Sequence, residues 1–167
     1  MKLYLFIISM GGGILPIAFK NGKIYFLFGR ETLDVWKESG LWSDFGGGKE
    51  KNETYKETAI REGWEETDGV LGNQKMIEYL VDNNTIDTIL HKGYKTYIVL
   101  INYDSRLPKI FRKKFEKIKH ENPDLIAKKG RYEKDMIKWF EYNEIQRKIH
   151  LFRPWYKGLL KKVLSKY

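Results

Sequence analysis

Glu53, Glu57, Glu62, Glu65 and Glu66 crowd into one stretch, "FGGGKEKNETYKETAIREGWEETDGV" from Phe45 to Val70, of a chain whose formal net charge is +9. On a helix Glu62 and Glu66 are spaced i,i+4 and Glu62 and Glu65 i,i+3, so the three carboxylates share a face. Like charges at those spacings disfavour a bare helix by a few tenths of a kcal/mol per pair. A divalent cation reverses that sign. Magnesium takes hard oxygen ligands, usually a few carboxylates with waters and substrate phosphate oxygens. A cation-binding face behind a glycine run therefore suits pyrophosphate hydrolysis, because the cation offsets phosphate charge and makes water a better nucleophile. Arg61 sits among the acids and reaches toward Glu53, two turns earlier. The plain alternative for Glu-x-x-Glu-Glu taken alone is a solvated acidic face.

Those side chains need a scaffold. "ILPIAF" and "IYFLFG" are apolar, β-rich runs around "KNGK", and Asn21-Gly22 is a strong hairpin signal. Ile14–Phe19 and Lys23–Gly29 should therefore pair antiparallel. "RETLDVWKESGLWSD" reads as a loop with aromatic anchors, and a helix is expected from Asn52 to about Thr67, with Asn52 or Glu53 near its N-cap. "KMIEYLV", "TIDTILHKG" and "KTYIVLINY" read as strands. "KIFRKKFEKIKHE" reads as a basic amphipathic helix with an Ile110, Phe111, Phe115 and Ile118 stripe. "DMIKWFEY" reads as a strand and "PWYKGLLKKVLSKY" as a closing basic helix. The order implies a sheet covered by helices on both faces.

The chain has 167 residues, 42% hydrophobic and 15% aromatic, which suits one folded domain over residues 1–167. It has no cysteine, so disulfide frameworks and thiolate metal sites are excluded and a reducing, cytoplasmic setting is expected. "MKLYLFIISMGGG" is too short to span a bilayer and lacks a clear cleavage site, so a buried strand is expected there rather than a signal peptide, with no membrane partner. The positive charge favours polyanionic partners. Lysine outnumbers arginine, and Ile and Asn are common, as an AT-rich coding sequence would give whatever the function.

With those residues placed, the acidic stretch resembles the Nudix box, G-x5-E-x7-R-E-U-x-E-E-x-G-U with U aliphatic. Gly47, Glu53, Arg61, Glu62, Glu65 and Glu66 fall at its fixed places. Arg30 before the glycines and "YEKDMIKWF" after the helix agree with the family's flanks. Two positions depart: Gly63 stands at the first U, and Asp68 at the glycine, with Gly69 following as if the turn came one residue late. The resemblance implies a Nudix α/β/α sandwich with a mixed sheet between helices. It implies Mg²⁺- or Mn²⁺-dependent hydrolysis of a pyrophosphate bond in a nucleoside diphosphate linked to another moiety. Glu62 and Glu66 would be the main metal ligands, Glu65 would assist, and a carbonyl of Gly46 or Gly47 would complete the protein's share. Spacing selects Gly47 as the motif glycine, whereas the common "GGK" string would select Gly48. Arg61 would orient the loop and Glu53 would hold Arg61, with Glu57 outside the pattern. The general base in this family often lies outside the box; Glu133 is the first candidate and Glu121 the second, and Glu65 could itself serve.

Arg30, Lys49 and Trp42 are candidate substrate contacts, Trp42 by stacking on a base. His91, His120 and His150 are scattered without metal-ligand spacing, and no nucleophilic-serine motif or Walker-type loop occurs. "RLPKIFRKKFEKIKHE", "AKKGRYEK" and the C-terminal helix interleave cations with aromatics, which suits RNA as a partner; amphipathic helices that bury their aromatics give the same composition. Substrates compatible with the charge are nucleotides or dinucleoside polyphosphates, then an RNA 5′ cap, then diphosphoinositol polyphosphates. A non-catalytic RNA- or phosphate-binding module is the alternative of another class. A homodimer is expected by resemblance.

Overall fold

The computed structural model describes residues 10–126, 128 and 131–167. The strand expected at the N-terminus therefore lies outside the described residues up to residue 9, as do residues 127, 129 and 130 of the basic "AKKGRYEK" stretch. The elements are β1 (Gly11–Lys20), β2 (Lys23–Glu31), β3 (Trp42–Ser43), β4 (Phe45–Gly48), α1 (Tyr55–Glu66), α2 (Gln74–Asn84), β5 (Thr85–His91), β6 (Tyr94–Leu100), α3 (Leu107–Glu121), β7 (Lys134–Glu141), α4 (Tyr142–Arg147) and α5 (Tyr156–Leu164). Among the described residues no helix is long and apolar enough to cross a membrane.

β1 and β2 form the expected hairpin, with Ile17 opposite Phe26 and Lys20 opposite Lys23. Asn21 and Gly22 take φ of 51° and 70°, the positive values a type I′ turn requires. The sheet runs β3-β2-β1-β6-β5, with β4 also on β1 and β7 also on β2. β1 and β6 are parallel and the other pairs antiparallel, so the sheet is mixed.

Side chains alternate across a strand, and β1 uses this to feed two cores. Leu15 and Ile17 join Phe26, Phe28, Phe140 and Tyr156 against α4 and α5. Ile14 and Ala18 join Leu27, Ile60, Ile77 and Phe111 against α1, α2 and α3. The result is an α/β/α sandwich.

One expected strand is a helix. "KMIEYLV" lies in α2, where the Asn73 side chain accepts from the Met76 N–H and caps the first turn. Ile77 and Val81, one turn apart, are buried while Met76 and Tyr79 are exposed. That i,i+4 pair is a helical period which the short apolar run concealed. The start of α1 also differs from expectation. Thr54, rather than Asn52 or Glu53, is the N-cap, and Thr54 and Glu57 form a reciprocal capping box. Glu57, outside the box pattern, thus works in the cap.

Candidate active site

The glycine strand β4 lies antiparallel to the glycine end of β1, with Gly46 opposite Gly13 and Gly47 opposite Gly12. A Cβ on Gly46 would fall 1.9 Å from the Tyr94 hydroxyl and 2.5 Å from the Gly13 Cα, so only glycine fits. A Cβ on Gly47 would fall 2.7 Å from the Glu62 carboxyl carbon, whereas Gly48 has open space beside it. Glu62 therefore rests over Gly47, the glycine that spacing selects. One turn on, Glu66 Oε2 accepts from the Gly46 N–H at 2.7 Å. α1 can come this close because β1 offers no side chain at Gly12, where a Cβ would lie 2.5 Å from the Tyr55 carbonyl oxygen.

Gly63 faces this packed side. A Cβ there would meet Ile14 Cδ1 at 2.8 Å and Ile77 Cγ2 at 3.3 Å, so neighbouring side chains fill the space an aliphatic residue would take. The helix exit turn begins on Asp68 itself, with φ of 48°, and continues through Gly69 at 69°. Asp is among the few non-glycine residues that accept this region.

Arg61 ties the segment together. Its Nε and Nη2 donate to the two Glu53 carboxylate oxygens at 2.7 and 3.0 Å, and Nη2 also donates to the Gly48 carbonyl at 3.1 Å. Nη1 donates to Glu62 Oε1 at 2.7 Å and to Glu65 Oε2 at 3.2 Å. The guanidinium, helped by the Glu50 N–H and the Thr58 hydroxyl, lowers the Glu53 carboxyl to about 2. The neighbouring acids move the other way. Burial raises Glu62 and Glu65, each opposed by Arg61. Burial raises Glu66 well above the ordinary range, with Lys134 opposing.

Glu133 is half-buried, and burial first, then the Glu62 and Glu31 charges, raise its carboxyl. It thus belongs to the same electrostatic cluster. Glu121 is exposed and lines a cleft of about 400 Å³ between α1 and α3, which also takes in Glu65, Asp68, Lys114 and Arg131.

The candidate substrate contacts fare differently. Arg30 is committed to Asp135 through two bonds of 2.8 and 3.1 Å that cross-link β2 to β7. Lys49 directs its ammonium to the Tyr55 ring, 5.7 Å from the ring centre. Trp42 is 6% exposed and packs edge-on against Phe140, so its ring serves the core and offers no face to a base.

Glu31, Asp44, Lys134 and Arg153 lie outside the motif, yet the fold buries or half-buries them beside the glycine strand. Asp44 is buried, accepts from the Tyr94 and Thr96 hydroxyls at 2.9 and 2.7 Å, and is raised to about 6 by its burial. Glu31 closes β2 directly after Arg30, so no local pattern marks it as the charge with a buried partner. Arg153 helps line a cleft of about 490 Å³ bounded by Gly46, Gly47 and Gly48 on one side and His91, Lys92, Tyr94 and Trp155 on the other. Its lining carries cations and no acid.

Among the described residues, no three carboxylate, imidazole or thiolate side chains are arranged as a ready metal cage. The donor chemistry nevertheless suits a hard cation. Glu62 and Glu66 are buried carboxylates against the backbone of Gly46 and Gly47, and burial works against their charges, opposed by Arg61 at Glu62 and by Lys134 at Glu66.

Fold and site together define an α/β/α domain with an acidic helix laid over a glycine strand. A NUDIX domain family model matches residues 13–163, and the chain belongs to that family. Its members generally use divalent metals. The chain is 46% identical over 56 residues to an uncharacterized protein of Acanthamoeba polyphaga mimivirus, a match covering 33% of this chain and 18% of that protein's length. A C. elegans Ap4A hydrolase in a binary complex superposes with a TM-score of 0.51 at 16% identity, covering 94% of this chain and 96% of the other. A Francisella tularensis bifunctional NMN adenylyltransferase/ADP-ribose pyrophosphatase, complexed with AMP and manganese, gives 0.54 at 13% identity over 95% of this chain and 41% of the other. At these identities the two structures attest the fold.

Proposed function

We propose that this chain hydrolyses a pyrophosphate bond in a nucleoside diphosphate linked to another moiety, a nucleotide or dinucleoside polyphosphate, with Mg²⁺ or Mn²⁺ as cofactor. The observation that carries this reading is the seating of Glu62 over Gly47 beside Glu66 on the Gly46 N–H. Glu62 and Glu66 would hold the cation, with Glu65 and a carbonyl of Gly46 or Gly47 beside them. When bound, the cation supplies Lewis acidity, offsetting phosphate charge and acidifying water. Glu133 takes the proton from the attacking water, with Glu65 as the next choice. Water adds to one phosphorus, the anhydride P–O bond breaks, and the two phosphate-bearing products leave. Arg61 and Glu53 keep the glycine loop in register throughout. Lys92 faces the polyphosphate across the cleft, and Trp155 offers a ring to its organic end. The cysteine-free composition fits action in the cytoplasm.

A second reading, a 5′-capped RNA or a diphosphoinositol polyphosphate as substrate, draws on the net charge of +9. Product release from nucleoside triphosphates, dinucleoside polyphosphates, ADP-ribose, a diphosphoinositol phosphate and capped RNA, at matched Mg²⁺, separates these readings. Glu66→Gln should lower turnover of the cleaved substrate at least a hundredfold, as expected for loss of a metal ligand. No turnover of any substrate, or an unimpaired Glu66→Gln, would move the assignment to a non-catalytic phosphate-binding module.

A further inference from the structure

Lys134, at the start of β7, is completely buried. Its Nζ donates to the Ser43 hydroxyl at 3.0 Å, pairs with Glu31, and lies 3.5 Å from Glu66 Oε1. A buried ammonium is costly unless its charge and N–H groups are met, and here two buried carboxylates and a hydroxyl meet them. β2 makes the room: a Cβ on Gly29 would fall 3.0 Å from Lys134 Cγ and 3.1 Å from its Cδ. Glu31 also accepts from Arg153 Nη1 at 3.1 Å, and Arg153 pairs further with Glu38. The Lys134 ammonium is therefore held by Glu31 and Ser43, with Glu66 in ion-pair range. Glu66 in turn is engaged on both oxygens, Oε2 by the Gly46 N–H and Oε1 by Lys134.

We propose that Lys134 is a positioning residue which, held by Glu31, fixes the Glu66 carboxylate against the glycine strand in the orientation that receives the metal. The inference rests on the reading above that Glu66 is a metal ligand. Partners that orient metal ligands typically matter by 10- to 100-fold in affinity or activity. A side chain that merely filled the core would leave metal affinity alone, because a buried ion pair can often be replaced by apolar groups of similar volume without loss of the fold.

The test is Mn²⁺ affinity of the metal-free protein, read from the free-ion EPR signal, with thermal melting alongside. Lys134→Met combined with Glu31→Gln removes one positive and one negative charge and leaves the local net charge unchanged. It should weaken Mn²⁺ binding by at least tenfold and lower kcat by a similar factor, with KM for the polyphosphate within about threefold. Glu31→Gln alone keeps the side-chain volume and frees Lys134 to close on Glu66, so it should also weaken Mn²⁺ at least tenfold, and it serves if the double variant does not fold. Wild-type Mn²⁺ affinity in folded variants overturns the proposal and leaves Lys134 a packing residue. Glu66→Gln separates the two levels of the argument. If it abolishes Mn²⁺ binding while the Lys134 and Glu31 variants retain it, only the positioning role falls. If Glu66→Gln itself leaves Mn²⁺ binding intact, the metal assignment falls and the positioning role with it.

Discussion

The Arg61 guanidinium divides its N–H groups among Glu53, Glu62, Glu65 and the Gly48 carbonyl. Charge-assisted and partly forked bonds of this kind are stronger than neutral ones, so one side chain fixes both the loop and the acidic face. Glu53 is the partner whose titration can be followed. Its folded value, about 2, lies below the ordinary 4.5, so its contribution is complete above the ordinary value and fades as pH falls toward 2. Glu53→Gln lacks that dependence. The difference in urea midpoint between wild type and Glu53→Gln should be largest near neutral pH and shrink as pH drops through the window from 4.5 to 2. A difference that stays constant on acidification would mean the Arg61 pair does not stabilise the fold. Trp42 teaches the opposite lesson: an aromatic residue beside a glycine loop invites a stacking role, and the structure spends it on Phe140.

At the scale of elements, α1 meets β1 along a seam of small residues. Gly12 admits the helix backbone, and Gly63 admits Ile14. Helix propensity alone favours alanine over glycine at position 63 by about 1 kcal/mol. Overpacking against Ile14, whose Cδ1 and Cγ1 would lie 2.8 and 2.9 Å from the new Cβ, opposes this by about 1–3 kcal/mol. Packing should win, so Gly63→Ala should destabilise by about 1 kcal/mol. In an Ile14→Ala background the same change should stabilise by about 1 kcal/mol, because the propensity term is then unopposed. Urea unfolding of the four-member cycle checks this, and simple additivity would show that Ile14 is not the obstacle. α2 belongs to the same scale. Asn73 and the Ile77–Val81 pair specify a helix, yet seven residues containing five apolar or aromatic ones also satisfy a strand pattern, and only packing against β6 and α1 distinguishes them.

For the whole molecule, the net charge of +9 surrounds a locally acidic centre. A long polyanion would contact many of the peripheral lysines and release counter-ions from each, whereas a small nucleotide meets only the cleft. If the substrate is a dinucleoside polyphosphate, kcat/KM should change by less than about threefold between about 50 and 200 mM salt. A tenfold or steeper fall, growing with RNA length, would favour the capped-RNA reading. The cleft between β4 and α5 suits the smaller substrate, because Lys92 and Arg153 line the same cleft as Gly46 and Gly47.

The sequence by itself determined the hairpin, a sheet covered by helices and the acidic face on α1, because each rests on local periodicity, turn chemistry or fixed spacing within a short segment. The mixed character of the sheet followed from the family resemblance and is realised by the parallel pairing of β1 with β6. The resemblance to the Nudix box pointed to Gly47, and Glu62 lies over that glycine. Only the tertiary structure decided what lies behind that face. Lys134 and Glu31 are 103 residues apart, Asp44 and Tyr94 are 50 apart, and Arg153 comes from the segment before the last helix. Charges buried by long-range strand pairing leave no local pattern, because their partners are chosen by which strands meet rather than by what stands next in the chain.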